Sequence, residues 1–279
     1  MNRRFWQMVL ATLLAFVACG AVVVAAQEVE LTSTRAPATG CDASSRVSGY
    51  IIATDVPFTP TTIITVTSAA DPDDSADYSC NGVPTKPGRT PCTLRRAIVE
   101  ADALMKDDPD TRPILIRFDI PITDTQYDAD LGVWIIQITE TVKLEPLPTL
   151  GSTDFNKSGQ VMIDGWSQPD YDAIRPDQPR IVVRGPQENP SEGHILVVNG
   201  HGNIIRGLIF QKFRLGLQMN GGDNVIADNW FGLTTDGTDI YLYKEEAQED
   251  GSGQSGIVLA ENVSNNLIQN NHLLGYRGS

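Results

Sequence analysis

Three nine-residue stretches share one pattern: GNIIRGLIF from Gly202, DNVIADNWF from Asp223 and NNLIQNNHL from Asn265. In each, an asparagine precedes two apolar residues, two mostly polar residues follow, and an apolar residue closes the block. The asparagines Asn203, Asn224 and Asn266 are spaced by 21 and then 42 residues, and the closing residues Phe210, Phe231 and Leu273 keep the same phase. A fixed period near 21 with short β-rich pieces and turn residues marks a stacked coil, whose turns bury apolar surface only against their neighbours. The pattern predicts strands that pair with the coils above and below. Either Ile204, Val225 and Leu267 or their neighbours Ile205, Ile226 and Ile268 are expected to point inward, with the asparagines forming an amide ladder at a turn. HILVVNG and SGIVLAEN supply another strand of the coil, with Gly216 and Gly256 marking comparable turns. An antiparallel sandwich leaves the phase unexplained, and the Asn/Gly density and short apolar runs exclude a helical bundle. The doubled interval holds an insertion, approximately Thr234 to Gly253, which is acidic, carries Tyr241 and Tyr243, and is expected to project as a loop.

The N-terminus bears on compartment. Arg3 and Arg4 precede an apolar run from Phe5 to Ala26 that closes on Val24-Ala25-Ala26. This is the order of a secretory signal, with cleavage expected after Ala26; the same run is long enough to be retained as an anchor. No later run is apolar enough to span a bilayer, so residues 27–279 are expected outside the cytoplasm as a secreted or cell-surface protein. Removing residues 1–26 takes away two arginines and no acids, which moves the formal charge from -14 to -16. That balance argues against nucleic acid as a partner, because phosphate neutralisation needs clustered Lys and Arg.

Three cysteines follow the signal: Cys41, in a Ser/Thr/Pro-rich segment spanning 27–60, then Cys80 and Cys92. Cys80 and Cys92 flank the turn-rich NGVPTKPGRTP, which outside the cell reads as a disulfide closing a short loop. The rival reading, a catalytic Cys92, needs a histidine, and His194, His201 and His272 all lie more than 100 residues on. Cys41 is left as the odd cysteine. After Cys92, Leu94, Ala97, Ile98, Ala101 and Leu104 fall at helical spacing, with Thr93 suited to the N-cap and Asp107-Asp108-Pro109 ending the helix.

The stretch Cys92-Thr93-Leu94-Arg95-Arg96-Ala97-Ile98 resembles the CSLREAI motif of secreted bacterial proteins that carry right-handed parallel β-helices, the pectate-lyase-like fold. TIITVTSAADPDD before it, PILIRFDIP after it, and later VMIDGWSQP and NWFGLTTDGT are similar to that family's recurring phrases, so the resemblance touches residues 61–279. It implies an all-β solenoid: a cap of strand, disulfide loop and helix over 61–112, then a parallel β-helix over 113–279. The helix would lid the N-terminal end of the stack. The other end, NHLLGYRGS, has no polar cap and calls for further chain or a partner. Where the motif carries glutamate as half of a capping box, this chain has Arg96, a cation facing the positive helix end. Arg96→Glu is therefore expected to stabilise the protein.

Parallel β-helices include pectate lyases and polygalacturonases, so chemistry on acidic sugars is weighed. Gly200-His201-Gly202 resembles a polygalacturonase motif, but the aspartates and the Arg-Ile-Lys element that accompany it in those enzymes have no match. His201 is thus a weak catalytic candidate. Asp164 in MIDG, and Arg180, Arg184 and Arg206, offer no grouping of acids and bases that the sequence singles out. Asp71, Asp73, Asp74 and Asp77 are calcium candidates, with Asp236 and Asp239 weaker, since calcium takes several carboxylate oxygens. Trp230, Tyr241 and Tyr243 form a candidate sugar-stacking loop. No other cofactor is expected. The reading is a non-catalytic scaffold, adhesin-like or glycan-binding module facing an extracellular glycan or surface component. Its alternative is a polysaccharide lyase or glycoside hydrolase acting on acidic polysaccharides.

Overall fold

The computed structural model describes residues 58–71, 80, 91–138, 147–151, 159–169, 178–185, 194–213, 215–239 and 255–273, all within the unit Ala43–Ser279. The expected signal at 1–26, Cys41, Asp73, Asp74, Asp77, Tyr241 and Tyr243 lie outside the described residues, as does the tail from 274.

Among the described residues the protein is mostly β, with one α-helix, α1 (Leu94–Asp107). The first sheet runs, in spatial order, β1 (Thr62–Val66), β2 (Ile114–Phe118), β5 (Val161–Asp164), β8 (Ile204–Arg206), β11 (Val225–Ala227) and β14 (Leu267–Gln269). The second holds β7 (His194–Val198), β10 (Leu215–Met219) and β13 (Ser255–Leu259). The third runs β3 (Tyr127–Asp128), β4 (Val133–Gln137), β6 (Ile181–Arg184), β9 (Leu208–Gln211), β12 (Trp230–Phe231) and β15 (His272–Leu273). Among the described residues every strand pairing is parallel except β3 with β4, and no sheet closes on itself. From β7 onward the chain visits the second, first and third sheets in rotation, three times over.

Registers explain the repeat. Ile64, Ile116, Ile163, Ile205, Ile226 and Ile268 stand in one column across the first sheet, so the second of the two inward alternatives holds. The first five are buried in one core with Ile136, Val183, Phe210 and Phe231 of the third sheet and Val198 and Met219 of the second. β-branched side chains suit such columns because they pack on a pleated surface with little rotamer freedom to lose. Each fully buried isoleucine is worth about 1.5–3 kcal/mol over an exposed one. Phe210 and Phe231 stack with centroids 5.0 Å apart and planes 10° from parallel. Ile204 faces the other way and is buried with Leu115 and Met162. The first sheet is thus apolar on both faces, as parallel sheets commonly are.

Val225 pairs directly with Leu267, 42 residues on, so the doubled interval is a single step of the sheet with extra chain inside it. The predicted asparagine ladder is present. Asn203 Oδ1 accepts the Val161 N–H (3.1 Å), Asn224 Oδ1 accepts the Asn203 N–H (2.8 Å) and Asn266 Oδ1 accepts the Asn224 N–H (3.0 Å). The residue before each ladder position, Gln160, Gly202, Asp223 or Asn265, has positive φ, a conformation that glycine, asparagine and aspartate tolerate best. Gly216 and Gly256, expected in turns, instead lie inside β10 and β13. A Cβ on Gly216 would stand 2.3 Å from Gly256 O, so glycine permits close stacking of two strands there.

Helix α1 begins as expected: Thr93 is extended and its Oγ1 accepts the Arg96 N–H at 3.2 Å. It stops at Asp107, before a 3-10 turn over Pro109–Thr111. Leu94, Ala97, Ile98 and Ala101 are buried, Leu104 is half-buried, and Met105 completes the face, which packs on β1 and β2 and shares the main core. Cys80 and Cys92 form a disulfide. The structure gives Arg96 a neighbour that the capping argument left out. Its Nε lies 3.7 Å from Oε2 of Glu100, one turn on, and buried Glu100 also accepts the Cys80 N–H at 3.2 Å. The cation that opposes the helix dipole thus offsets a buried carboxylate.

Candidate functional site

The turn between β7 and β8 carries His201, the turn between β10 and β11 carries Asp223, and the turn between β13 and β14 carries Asn265. His201 Nδ1 lies 3.5 Å from Asp223 Oδ2, and Asp223 Oδ1 accepts from Asn265 Nδ2 at 3.1 Å. Both members of the pair are well exposed, with side-chain exposures of 48% and 60%. Chemically this is an oriented imidazole on the surface. Glycoside hydrolysis in its usual form requires two carboxyl groups flanking one bond, which a single carboxylate bound to a histidine does not supply.

The other candidate groups hold the fold together. Asp71, the described member of the first calcium candidate, is gripped by Arg95 through Nε–Oδ1 at 2.6 Å and Nη2–Oδ2 at 2.8 Å. The carboxylate is fully buried and the arginine side chain is 10% exposed. Its oxygens face a cation, an arrangement that competes with metal ligation. In the second, Asp236 Oδ1 accepts from Thr234 Oγ1 (2.6 Å) and the Thr238 N–H (3.1 Å), closing the turn at the root of the inserted chain. Among the described residues no group of three or more His, Cys, Asp or Glu side chains is placed to hold a metal ion.

Trp230 is half-buried on the side of the third sheet away from the main core. It packs with Val133, Val182 and Ile209, its ring centroid is 5.6 Å from that of His272, and a Cβ on Gly237 would stand 2.8 Å from its ring. Its neighbours are therefore protein groups on several sides. Tyr241 and Tyr243, expected beside it, lie outside the described residues.

Asp164 receives Arg206 Nε and Nη2 at 2.9 and 2.7 Å, and both side chains are 4% exposed. The same carboxylate accepts the Trp166 N–H at 3.2 Å, capping a short 3-10 turn. Arg184 donates to Gln211 Oε1 at 2.9 and 3.1 Å, and Arg180 donates to Gly132 O at 3.1 Å. The bases that looked scattered in sequence are thus tied to separate structural acceptors.

Sequence reasoning missed a second asparagine ladder. Asn229 Oδ1 accepts the Leu208 N–H (3.1 Å) and Asn271 Oδ1 accepts the Asn229 N–H (3.0 Å). A third contact joins Asn220 Nδ2 to Asn199 Oδ1 at 2.9 Å. The signal was the same spacing, 42 residues for Asn229 and Asn271 and 21 for Asn199 and Asn220.

The disulfide is consistent with an oxidising compartment. Among the described residues no helix is long and apolar enough to cross a membrane. Comparison with protein-family models, curated proteins and solved structures yields no match for this chain.

Proposed function

We propose that this chain is a secreted or cell-surface right-handed parallel β-helix of the CSLREAI-bearing kind, serving as a non-catalytic scaffold that presents its turns and inserted loop to an extracellular glycan or surface component. The rotation of the chain through three parallel sheets supports the coil, with the sheets as its faces. In this reading α1 is the lid at the β1 end, and the disulfide fastens it.

The observation that carries the functional half is where the candidate reactive groups reside. Asp71 and Asp164 are locked to arginines in the interior, and Cys80 and Cys92 are bonded to each other. Groups committed in this way stabilise a rigid stack. The inserted chain leaves between Phe231 and Ser255 while β10, β11 and β12 stay in register with β13, β14 and β15. A long insertion on an undisturbed frame is how loops are displayed for recognition.

The His201–Asp223 pair favours one second reading, a lyase or hydrolase on acidic polysaccharides. Two assays separate them. Binding of the full chain to a glycan array or intact cell surface, without release of reducing ends or unsaturated products from uronic-acid polymers, supports the scaffold. Turnover that disappears in His201→Ala overturns it in favour of the enzyme. Silence on the arrays and surfaces rejects the display role.

A further inference from the structure

Two asparagines that meet across neighbouring turns are each followed directly by glycine: Asn199-Gly200 after β7 and Asn220-Gly221 after β10. Asn220 Nδ2 donates to Asn199 Oδ1 at 2.9 Å. An asparagine amide is open to attack by the backbone nitrogen of the residue that follows it, and the attack is least hindered where that residue is glycine. At position 221 the packing itself demands glycine. A Cβ on Gly221 would stand 1.7 Å from Gly200 O, so a side chain there would force the turns apart. The close approach of the two turns thus also sets the least hindering neighbour beside the Asn220 amide.

The two asparagines differ in their surroundings. Asn199 is 7% exposed, its N–H donates to Leu150 O at 2.8 Å, and its backbone carbonyl accepts from Asn203 Nδ2 at 3.1 Å. Asn220 is half-buried, so water and hydroxide reach its amide. Its Oδ1 accepts from Gln218 Nε2 at 2.7 Å. A donor held on that oxygen draws electrons from Cγ and stabilises the negative charge that develops when Cγ is attacked.

We propose that Asn220-Gly221 is a self-modifying site, at which the folded protein converts Asn220 to aspartyl and isoaspartyl forms with water as the co-reactant. The Gly221 nitrogen gives up its proton to base and bonds to Asn220 Cγ. The Cγ–Nδ2 bond then breaks, and Nδ2 leaves with a proton as ammonia. Water opens the resulting five-membered imide at either of its carbonyl carbons, which yields the aspartyl or the isoaspartyl linkage. No electrons are gained or lost. In both products the Nδ2 donor to Asn199 is gone. The isoaspartyl form also routes the backbone through an extra methylene, three residues before Asp223. The reaction is therefore a slow chemical clock on the turn that pairs with His201, whichever reading of the function holds.

The test follows the purified full chain, kept folded near neutral pH at physiological temperature, by peptide mass spectrometry over several weeks. Hydroxylamine, which cleaves the chain at the imide, marks the intermediate. Conversion at Asn220 should be at least about tenfold faster than at Asn199. In concentrated urea both are Asn-Gly in an open chain, and the two rates should converge. Gln218→Leu should slow conversion at Asn220 by about tenfold or more, with Asn199 as the internal reference. The sign is informative, because a glutamine that merely held the turn still would, once removed, let Asn220 react faster. Asn81-Gly82, outside the described residues, falls on a separate peptide and does not enter the comparison. Equal rates at Asn199 and Asn220 in the folded protein overturn the proposal. So does an Asn220 that stays intact in the folded protein, a rate ratio that persists in urea, or a Gln218→Leu variant that reacts as fast as wild type or faster.

Discussion

Asn224 Oδ1 accepts two hydrogen bonds from Asn203, one from the backbone N–H at 2.8 Å and one from Nδ2 at 3.0 Å, with both residues fully buried. Asn224 also donates from Nδ2 to Gly200 O at 3.3 Å. A leucine of similar size would remove an acceptor and a donor and strand a buried N–H. Each unsatisfied buried group costs about 1–3 kcal/mol, so Asn224→Leu should lose about 2–5 kcal/mol in denaturant unfolding. Asn266→Leu, on a partly exposed residue at the end of the ladder, should cost visibly less. Equal losses at the two positions would show that burial of the ladder is not what matters.

Arg96 gives a prediction of reversed sign. A capping-box argument made Arg96→Glu stabilising, yet the structure places Arg96 beside buried Glu100. The substitution removes a partner and sets a like charge one turn away, so the melting temperature should fall, by the equivalent of about 1–3 kcal/mol. Arg96→Gln should fall between wild type and Arg96→Glu. A melting temperature raised by Arg96→Glu would mean that the helix-end field outweighs the ion pair.

These two cases show what was legible in the sequence and what was not. The ladder at Asn203, Asn224 and Asn266 was readable because stacking turns a chemical requirement into a fixed interval. The same logic would have found Asn229 and Asn271. Gly216 and Gly256 were misread because a strand interior can need glycine for close approach, and a one-dimensional pattern does not distinguish that from a turn. Arg95 with Asp71, and Arg96 with Glu100, depend on which way a helix face is turned after folding. Many aspartates could have served as partners, so composition alone ranked none of them. The exposed His201–Asp223 contact likewise joins residues 22 apart whose proximity follows from the parallel pairing of β8 with β11 and not from any local motif.

The buried pair Asp164–Arg206 bridges β5 and β8 and should behave as a unit. Removing one partner leaves an uncompensated interior charge, so Asp164→Leu or Arg206→Met alone should cost about 3–5 kcal/mol. The double variant should recover a substantial part of the summed loss, since replacing a buried ion pair by apolar groups is often nearly neutral. A double-mutant cycle by urea unfolding reads the coupling directly. Additive losses would mean that the two side chains act independently despite their contact.

His194 opens β7, and burial lowers its imidazole pKa from the ordinary value of 6.5. The folded state therefore binds the proton less readily than the unfolded state. Because the unfolded chain takes up more protons on acidification, the His194 contribution is intact above the unfolded pKa near 6.5 and is lost as pH falls from there through the lowered folded value. Carboxylates add their own acid dependence, so the informative quantity is a difference between variants. The stability of wild type minus that of His194→Gln, measured by urea unfolding from about pH 7.5 to about pH 5, should be constant at the upper end and decline below about pH 6.5. A difference that stays level across the whole range would show that the His194 ring is solvated equally in both states.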